Sequence, residues 1–232
     1  MALEKAFKDT LLAFLRNCYN IYNFLSRAFE KEVTADFLKK LMEDSLAFLN
    51  SETLQKVPDK ELNEGLKVLS GYMERLKNSS LEQAELELAV EYANLFLGVK
   101  GLPHPSESAY KSGFIMERPM EEVLKAYREA GVDLKEDFKE PADHISTELQ
   151  FMAYLCQKAS ESGLKGKKDE LKRELERRIE FLNKHLLPWI PLFAKTISNA
   201  AETDFYRGLV ILTKRFVELD ESLTKYMLAK LP

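Results

Sequence analysis

Phe7, Leu11, Phe14, Cys18, Tyr22, Leu25 and Phe29 recur three or four positions apart between Leu3 and Phe29. That period lines one face of an α-helix, whereas a strand needs alternation at every second residue. A helix this long must bury its stripe against other elements, and no later segment sustains two-residue alternation. The expectation is an all-α chain of roughly nine or ten helices. It is read as a single domain over residues 1–232, with a possible N-terminal lobe at 1–113 and a C-terminal lobe at 119–232 joined by a functional loop.

Punctuation divides the rest. Thr34 is a candidate N-cap for a helix bearing Phe37, Leu38, Leu41 and Met42, ending near Asn50. Another follows Pro58-Asp59 with Leu62, Leu66, Leu69 and Met73. Ser80-Leu81-Glu82-Gln83 has capping-box spacing and opens a helix through Leu88, Tyr92 and Phe96 that stops at Gly98. Pro119 starts a short helix that Gly131 ends. In Glu140–Met152, Pro141 suits a first helical turn, which puts Asp143 and His144 at the helix start. There Ile145, Leu149, Met152 and Cys156 form an apolar stripe, with His144, Glu148 and Phe151 beside it; this helix should end near Gly163. A helix with Leu171, Leu175, Ile179, Leu182 and Leu186 follows, its charges alternating in sign as on a solvated face. Pro188 and Pro191 around Trp189 force a kink or a new start, and Thr203-Asp204 caps the last long helix.

Lys and Arg (34) nearly balance Asp and Glu (38) in the 232 residues, so the basic excess of a nucleic-acid binder is missing. The first residues mix charges with apolar side chains, unlike a secretory signal. The longest apolar run, near Leu186 to Ala194, is too short to span a bilayer. A cytoplasmic protein without an integral membrane segment is expected, with Cys18 and Cys156 as buried free thiols. Phosphate-loop and nucleophile-elbow patterns do not occur, so neither a cofactor nor a catalytic residue is assigned. His144 and Glu148, at i and i+4, supply two metal ligands, and a helical metal-dependent enzyme using them with a distant third ligand is one alternative. A general helical adaptor for an amphipathic helix is another.

Gly98 to Gly113 is unusually long for a loop in a helical domain, interrupted by Gly101, Pro103 and Pro105. The residues alone admit two readings. The loop either connects two lobes, or it meets the Asp143 helix start and forms a carboxylate-bearing groove with aromatic walls, suited to arginine followed by apolar residues.

Three ordered motifs carry a resemblance. Tyr92-Ala93-Asn94-Leu95-Phe96-Leu97-Gly98, Pro103-His104-Pro105-Ser106-Glu107-Ser108-Ala109-Tyr110, and Glu140-Pro141-Ala142-Asp143-His144-Ile145 with Glu148 to Met152 look like the successive motifs of the TorD/DmsD/NarJ family. His185-Leu186-Leu187-Pro188-Trp189 with Phe193, and Phe205-Tyr206, are similar to its C-terminal motif. The resemblance implies a cytoplasmic maturation chaperone without catalytic turnover. Its partners would be the twin-arginine signal peptide and the precursor of a molybdenum-containing redox enzyme. It also implies peptide contacts at Asp143, His144, Pro105, Glu107 and Tyr110, with Asp143 as arginine acceptor and Glu107 and Glu148 as secondary ones. His144 would be an orienting partner or a pH-sensitive contact. Relatives have tryptophans around the groove; here Trp189 is the only one, so Phe151 and Phe114 are expected to line it. Monomer and helix-exchanged dimer both fit.

Overall fold

Helix α1 (Ala2–Glu30) buries the stripe its period defines: Leu11, Cys18, Tyr22, Leu25 and Phe29 are inaccessible, and Phe7 and Phe14 half-buried. The computed structural model describes residues 2–42, 59–134 and 140–231. Side-chain caps open the next elements where the sequence placed them. Thr34 accepts the Phe37 N–H at 3.2 Å for α2 (Ala35–Lys40), and Asp59 accepts Leu62 N–H at 2.9 Å for α3 (Lys60–Leu76). Ser80 accepts Gln83 N–H at 3.3 Å for α4 (Leu81–Phe96). Each cap supplies an acceptor to an N–H that the helix cannot satisfy itself. The expected end of the second helix, Pro58 and the charged connection at 135–139 lie outside the described residues.

The remaining helices are α5 (Glu107–Ser112), α6 (Arg118–Glu129), α7 (Ile145–Leu164), α8 (Lys168–Phe181), α9 (Ile190–Ala200) and α10 (Asp204–Ala229), and α8 runs into a π-helical turn at Leu182–Leu186. Helix α1 lies along α7, α8 packs on both α7 and α10, and α3 packs on α10. Glycines permit the last contact. A Cβ on Gly65 would stand 2.9 Å from the Leu212 backbone nitrogen, and one on Gly208 2.8 Å from that of Leu69. Any side chain at either position would push the two helices apart. Phe29, Phe96, Phe193 and Tyr206 then join α1, α4, α9 and α10, with Phe29 5.7 Å from Phe193 and Phe96 5.5 Å from Tyr206. Among the described residues the fold is all-α, and no helix is long and apolar enough to cross a membrane. Cys18 and Cys156 are free and buried.

Three local expectations need correction. The segment read as loop as far as Gly113 contains α5, which closes at Gly113 with φ +86°. Six residues cannot hold a helix alone, and its support comes from far along the chain. Pro141 lies before α7 rather than in its first turn, because its carbonyl accepts the His144 N–H at 3.0 Å in a preceding turn. On α8, Leu171 and Leu175 are buried as expected, but Ile179 is only half-buried and Arg178 is wholly inside.

Candidate functional site

The proline-rich loop and the start of α7 meet. Ser106 and His144 form an antiparallel bridge, in which Ile145 N–H donates to Pro105 O at 2.8 Å and Glu107 N–H to Asp143 O at 2.9 Å. The Asp143 carboxylate then accepts Ser108 N–H at 2.7 Å. Ser106, the N-cap of α5, makes no side-chain cap bond, so Asp143, in the turn before α7, caps that helix instead. His144 in turn caps α7, its Nδ1 accepting the Ser146 N–H at 3.2 Å and standing 2.7 Å from Ser146 Oγ. With Nδ1 accepting, the ring proton of neutral His144 sits on Nε2.

Asp143, Glu107 and Glu148 are fully buried. Glu107 accepts from Lys111 Nζ at 2.6 Å and stands 3.0 Å from His185 Nδ1, while Glu148 accepts from Trp189 Nε1 at 3.2 Å. Burial first, then the charge of Glu107 and a hydrogen bond shared with it, push the Glu148 carboxyl well above the usual range. Burial and a neighbouring carboxylate both oppose ionisation of Glu148. Burial, with His104 adding to it, lowers His144 to about 3. The contacts at Nδ1 hold the His144 ring in place at the start of α7. Glu140, 38% exposed at its side chain, is the accessible carboxylate, with an oxygen 3.9 Å from His104 Nε2 and 4.0 Å from His144 Nε2.

The junction is polar beyond its own needs. Ser106 Oγ, Ser108 Oγ, Thr147 Oγ1 and Asp143 Oδ1 are buried without a protein partner. Buried polar atoms are ordinarily satisfied, so such a concentration calls for water or a ligand. Aromatic walls are present: Tyr110 lies 5.5 Å from Trp189 and 5.7 Å from Phe193, and Phe151 lies 4.6 Å from Tyr127 and 4.7 Å from Phe181. Phe151 also borders two grooves. One, of about 450 Å³, is lined by Val132, Leu134, Tyr127 and Tyr154 with Glu30 and Asp133. The other, of about 750 Å³ between α6 and α8, reaches His185. Phe114 is 71% exposed on the loop after α5.

Among the described residues no group of three or more His, Cys, Asp or Glu side chains is gathered as a metal site needs. His144 and Glu148 do not converge, since one ring nitrogen is held by Ser146 and the carboxyl turns to Trp189. Lys111 and His185, which hold Glu107, were not assigned to the site from sequence, nor was Tyr127, whose hydroxyl donates to Ala142 O at 2.9 Å. Helical periodicity places these residues on their own helices but carries no information about partners on others. The lone Trp and the scarcity of His were the available signals.

The family described as nitrate reductase delta subunit matches residues 55–195. Similar proteins include Chaperone protein TorD of Photobacterium profundum, 32% identical over 215 residues, covering 90% of this chain and 94% of the relative. Chaperone protein TorD of Vibrio atlanticus is 29% identical over 228 residues, covering 95% and 98%. That of Vibrio parahaemolyticus is 28% identical over 194 residues, covering 80% and 88%. The family match takes in both halves of the junction, and this chain belongs to the TorD/NarJ family of the nitrate reductase delta subunit.

Proposed function

We propose that this protein is a cytoplasmic, non-catalytic chaperone that binds the twin-arginine signal peptide of a molybdenum-containing oxidoreductase and assists its cofactor insertion and folding before export. The observation that carries this reading is the junction itself. Pro105 and Glu107 bond the backbone at Ile145 and Asp143, Tyr110 packs on the Trp189 that bonds Glu148, and polar atoms there lack partners beside an acidic, apolar groove.

The chemistry runs in two stages. In the closed form an arginine meets Glu140 first, because the deeper carboxylates are covered. Reaching Asp143 and Glu107 requires α5 to lift from α7, which breaks two backbone bonds and the Ser108 bond to the Asp143 carboxylate, at a cost of about 2.5–6 kcal/mol. The lift also parts Glu107 from His185 and Tyr110 from Trp189 and Phe193. Lys111 already sets an ammonium against Glu107, so a guanidinium arriving there exchanges one cation for another. Each charge-assisted bond returns about 1.5–3 kcal/mol, so two arginines roughly offset the opening. Micromolar affinity needs about 8 kcal/mol, and the remainder must come from the apolar stretch of the peptide. The groove lined by Tyr127, Val132, Leu134, Phe151 and Tyr154 is the surface for that stretch.

Calorimetry with a twin-arginine signal peptide tests this. Asp143→Ala is expected to weaken binding by about tenfold, matching the loss of one such bond, and replacing both arginines by alanine should weaken it further. Unchanged affinity in Asp143→Ala removes that residue from the site. Unchanged affinity for the arginine-free peptide makes the chain a general helical adaptor.

A further inference from the structure

Helix α4 is apolar on two faces. Leu88, Tyr92, Leu95 and Phe96 face the core, yet Leu86 is 67% exposed, Val90 56% and Leu97, the C-cap, 60%. With half-buried Ala93 between them, these outward residues are spaced four, three and four, and at 100° per residue they fall within about 60° of one another. This is a/d-like spacing over fewer than two heptads, with no second helix against it among the described residues.

The charge that α4 itself brings to the seam is of one sign, with Lys77 and Lys100 beyond its two ends. Helix α4 contains Glu82, Glu85, Glu87 and Glu91 and no Lys or Arg. All four accept hydrogen bonds within the fold: Glu85 from Ala35 N–H at 3.1 Å, Glu91 from the N–H groups of Glu202 and Thr203 at 2.6 and 2.9 Å, Glu82 from Ser80 Oγ at 2.6 Å and Glu87 from the Tyr72 hydroxyl at 3.4 Å. Glu82 and Glu87 are exposed and flank the seam on opposite sides.

We infer that the Leu86–Leu97 face of α4 is a docking surface for a basic amphipathic helix of a partner protein. The heptad spacing fits a helix, since an extended segment with its two-residue period cannot keep register with it. The flanking carboxylates fit lysine or arginine at the partner's edge positions. A second copy of this chain would set glutamates against glutamates. Residues 43–58 of this chain carry Glu43, Asp44 and Glu52 against Lys56 alone, so their charge is wrong as well. The surface stands apart from the signal-peptide reading and does not depend on it.

The test uses the full chain and two synthetic heptad peptides with leucine at a and d, one flanked by lysine and the other by glutamate, followed by fluorescence anisotropy. The lysine peptide is expected to bind, to weaken as salt rises, and to bind at least about tenfold more tightly than the glutamate peptide. Replacing Leu86 and Val90 by serine leaves the charge unchanged and should weaken the lysine peptide by about tenfold or more, through lost apolar burial, with the circular dichroism spectrum and melting midpoint retained. Equal binding by wild type and the serine variant overturns the inference, as does equal binding of the two peptides. Sedimentation that shows a dimer lost in the serine variant gives the face to a second copy. Failure of the lysine peptide to bind the wild-type chain also overturns it. None of these readouts involves the twin-arginine peptide, so the two proposals fail separately.

Discussion

Two clusters of buried charge behave in opposite ways. Between α1, α8 and α10, Arg178 and Asp220 are both inaccessible and pair at 2.7 Å. Asp220 also accepts from Tyr22 at 2.6 Å, Thr224 at 3.1 Å and Cys18 at 3.5 Å, and the guanidinium stands 5.5 Å from the centre of the Phe14 ring. Arg178 Nε and Nη1 lack acceptors, but the carboxylate is fully engaged. At the α5–α7 junction the buried groups are instead mostly acids, burial and Glu107 push the Glu148 carboxyl up, and one Asp143 oxygen is unpartnered. Opposite charges in contact fix three helices. The junction instead gathers carboxyls under a few backbone bonds, with Lys111 and His185 against Glu107, and makes a joint between two helices.

The largest test of this contrast is Asp220→Ala. Removing one member of a buried pair strands the other charge, and a loss of about 3–5 kcal/mol is expected by denaturant unfolding. Replacing both residues by apolar ones of similar volume should recover much of it. A loss under about 1 kcal/mol would mean that the Arg178 cluster is as loose as the junction.

Next come the pH profiles. Glu148 is raised in the folded state, so between the ordinary carboxylate range and its folded value the native protein holds a proton that the unfolded chain releases, and stability falls as pH rises. His144 is lowered to about 3, so below the ordinary histidine range the unfolded chain binds a proton that the native protein refuses, and stability falls as pH drops. The two slopes oppose each other over mildly acidic pH, each at most about 1.4 kcal/mol per unit. Glu148→Gln should expose the histidine slope, and His144→Asn, which keeps an N-cap acceptor, should expose the carboxyl slope. Identical profiles for both variants and wild type would show that neither proton is displaced.

A smaller effect is expected at the cap. Asp143→Ala removes the acceptor of Ser108 N–H and should cost about 1 kcal/mol, while Asp143→Asn should retain most of it. A loss as large as that of Asp220→Ala would erase the distinction between staple and joint.

The contrast also separates what the sequence carried from what it did not. Periodicity and caps placed most of the described helices, since Thr34, Asp59, Ser80 and Thr203 act on neighbours three residues away. Helix α5 was hidden because its cap, Asp143, lies thirty-five residues beyond Ser108. Arg178 was hidden because alternating charge along α8 looks solvated, and only Asp220 on another helix makes its burial tolerable. The motifs brought Pro105, Glu107 and Asp143 to one site, yet said nothing of their depth. Burial is a property of the assembled helices, and it turned the expected open acceptors into covered ones.

The smallest expected effect concerns exposed charges on α6. Lys125 and Glu129 on α6 stand 3.8 Å apart, with side chains 76% and 63% exposed. Lysine precedes glutamate, the less favourable order along a helix, so attraction between the side chains works against the helix dipole. Water and salt screen what remains, and Lys125→Ala should change unfolding free energy by about 0.5 kcal/mol or less. Removing one partner thus costs several-fold less at the surface than at Arg178 and Asp220, where the charge left behind has no water to turn to. A Lys125→Ala loss comparable to that of Asp143→Ala would place the energetic boundary at charge itself and not at burial, which is the point on which the two buried clusters are distinguished.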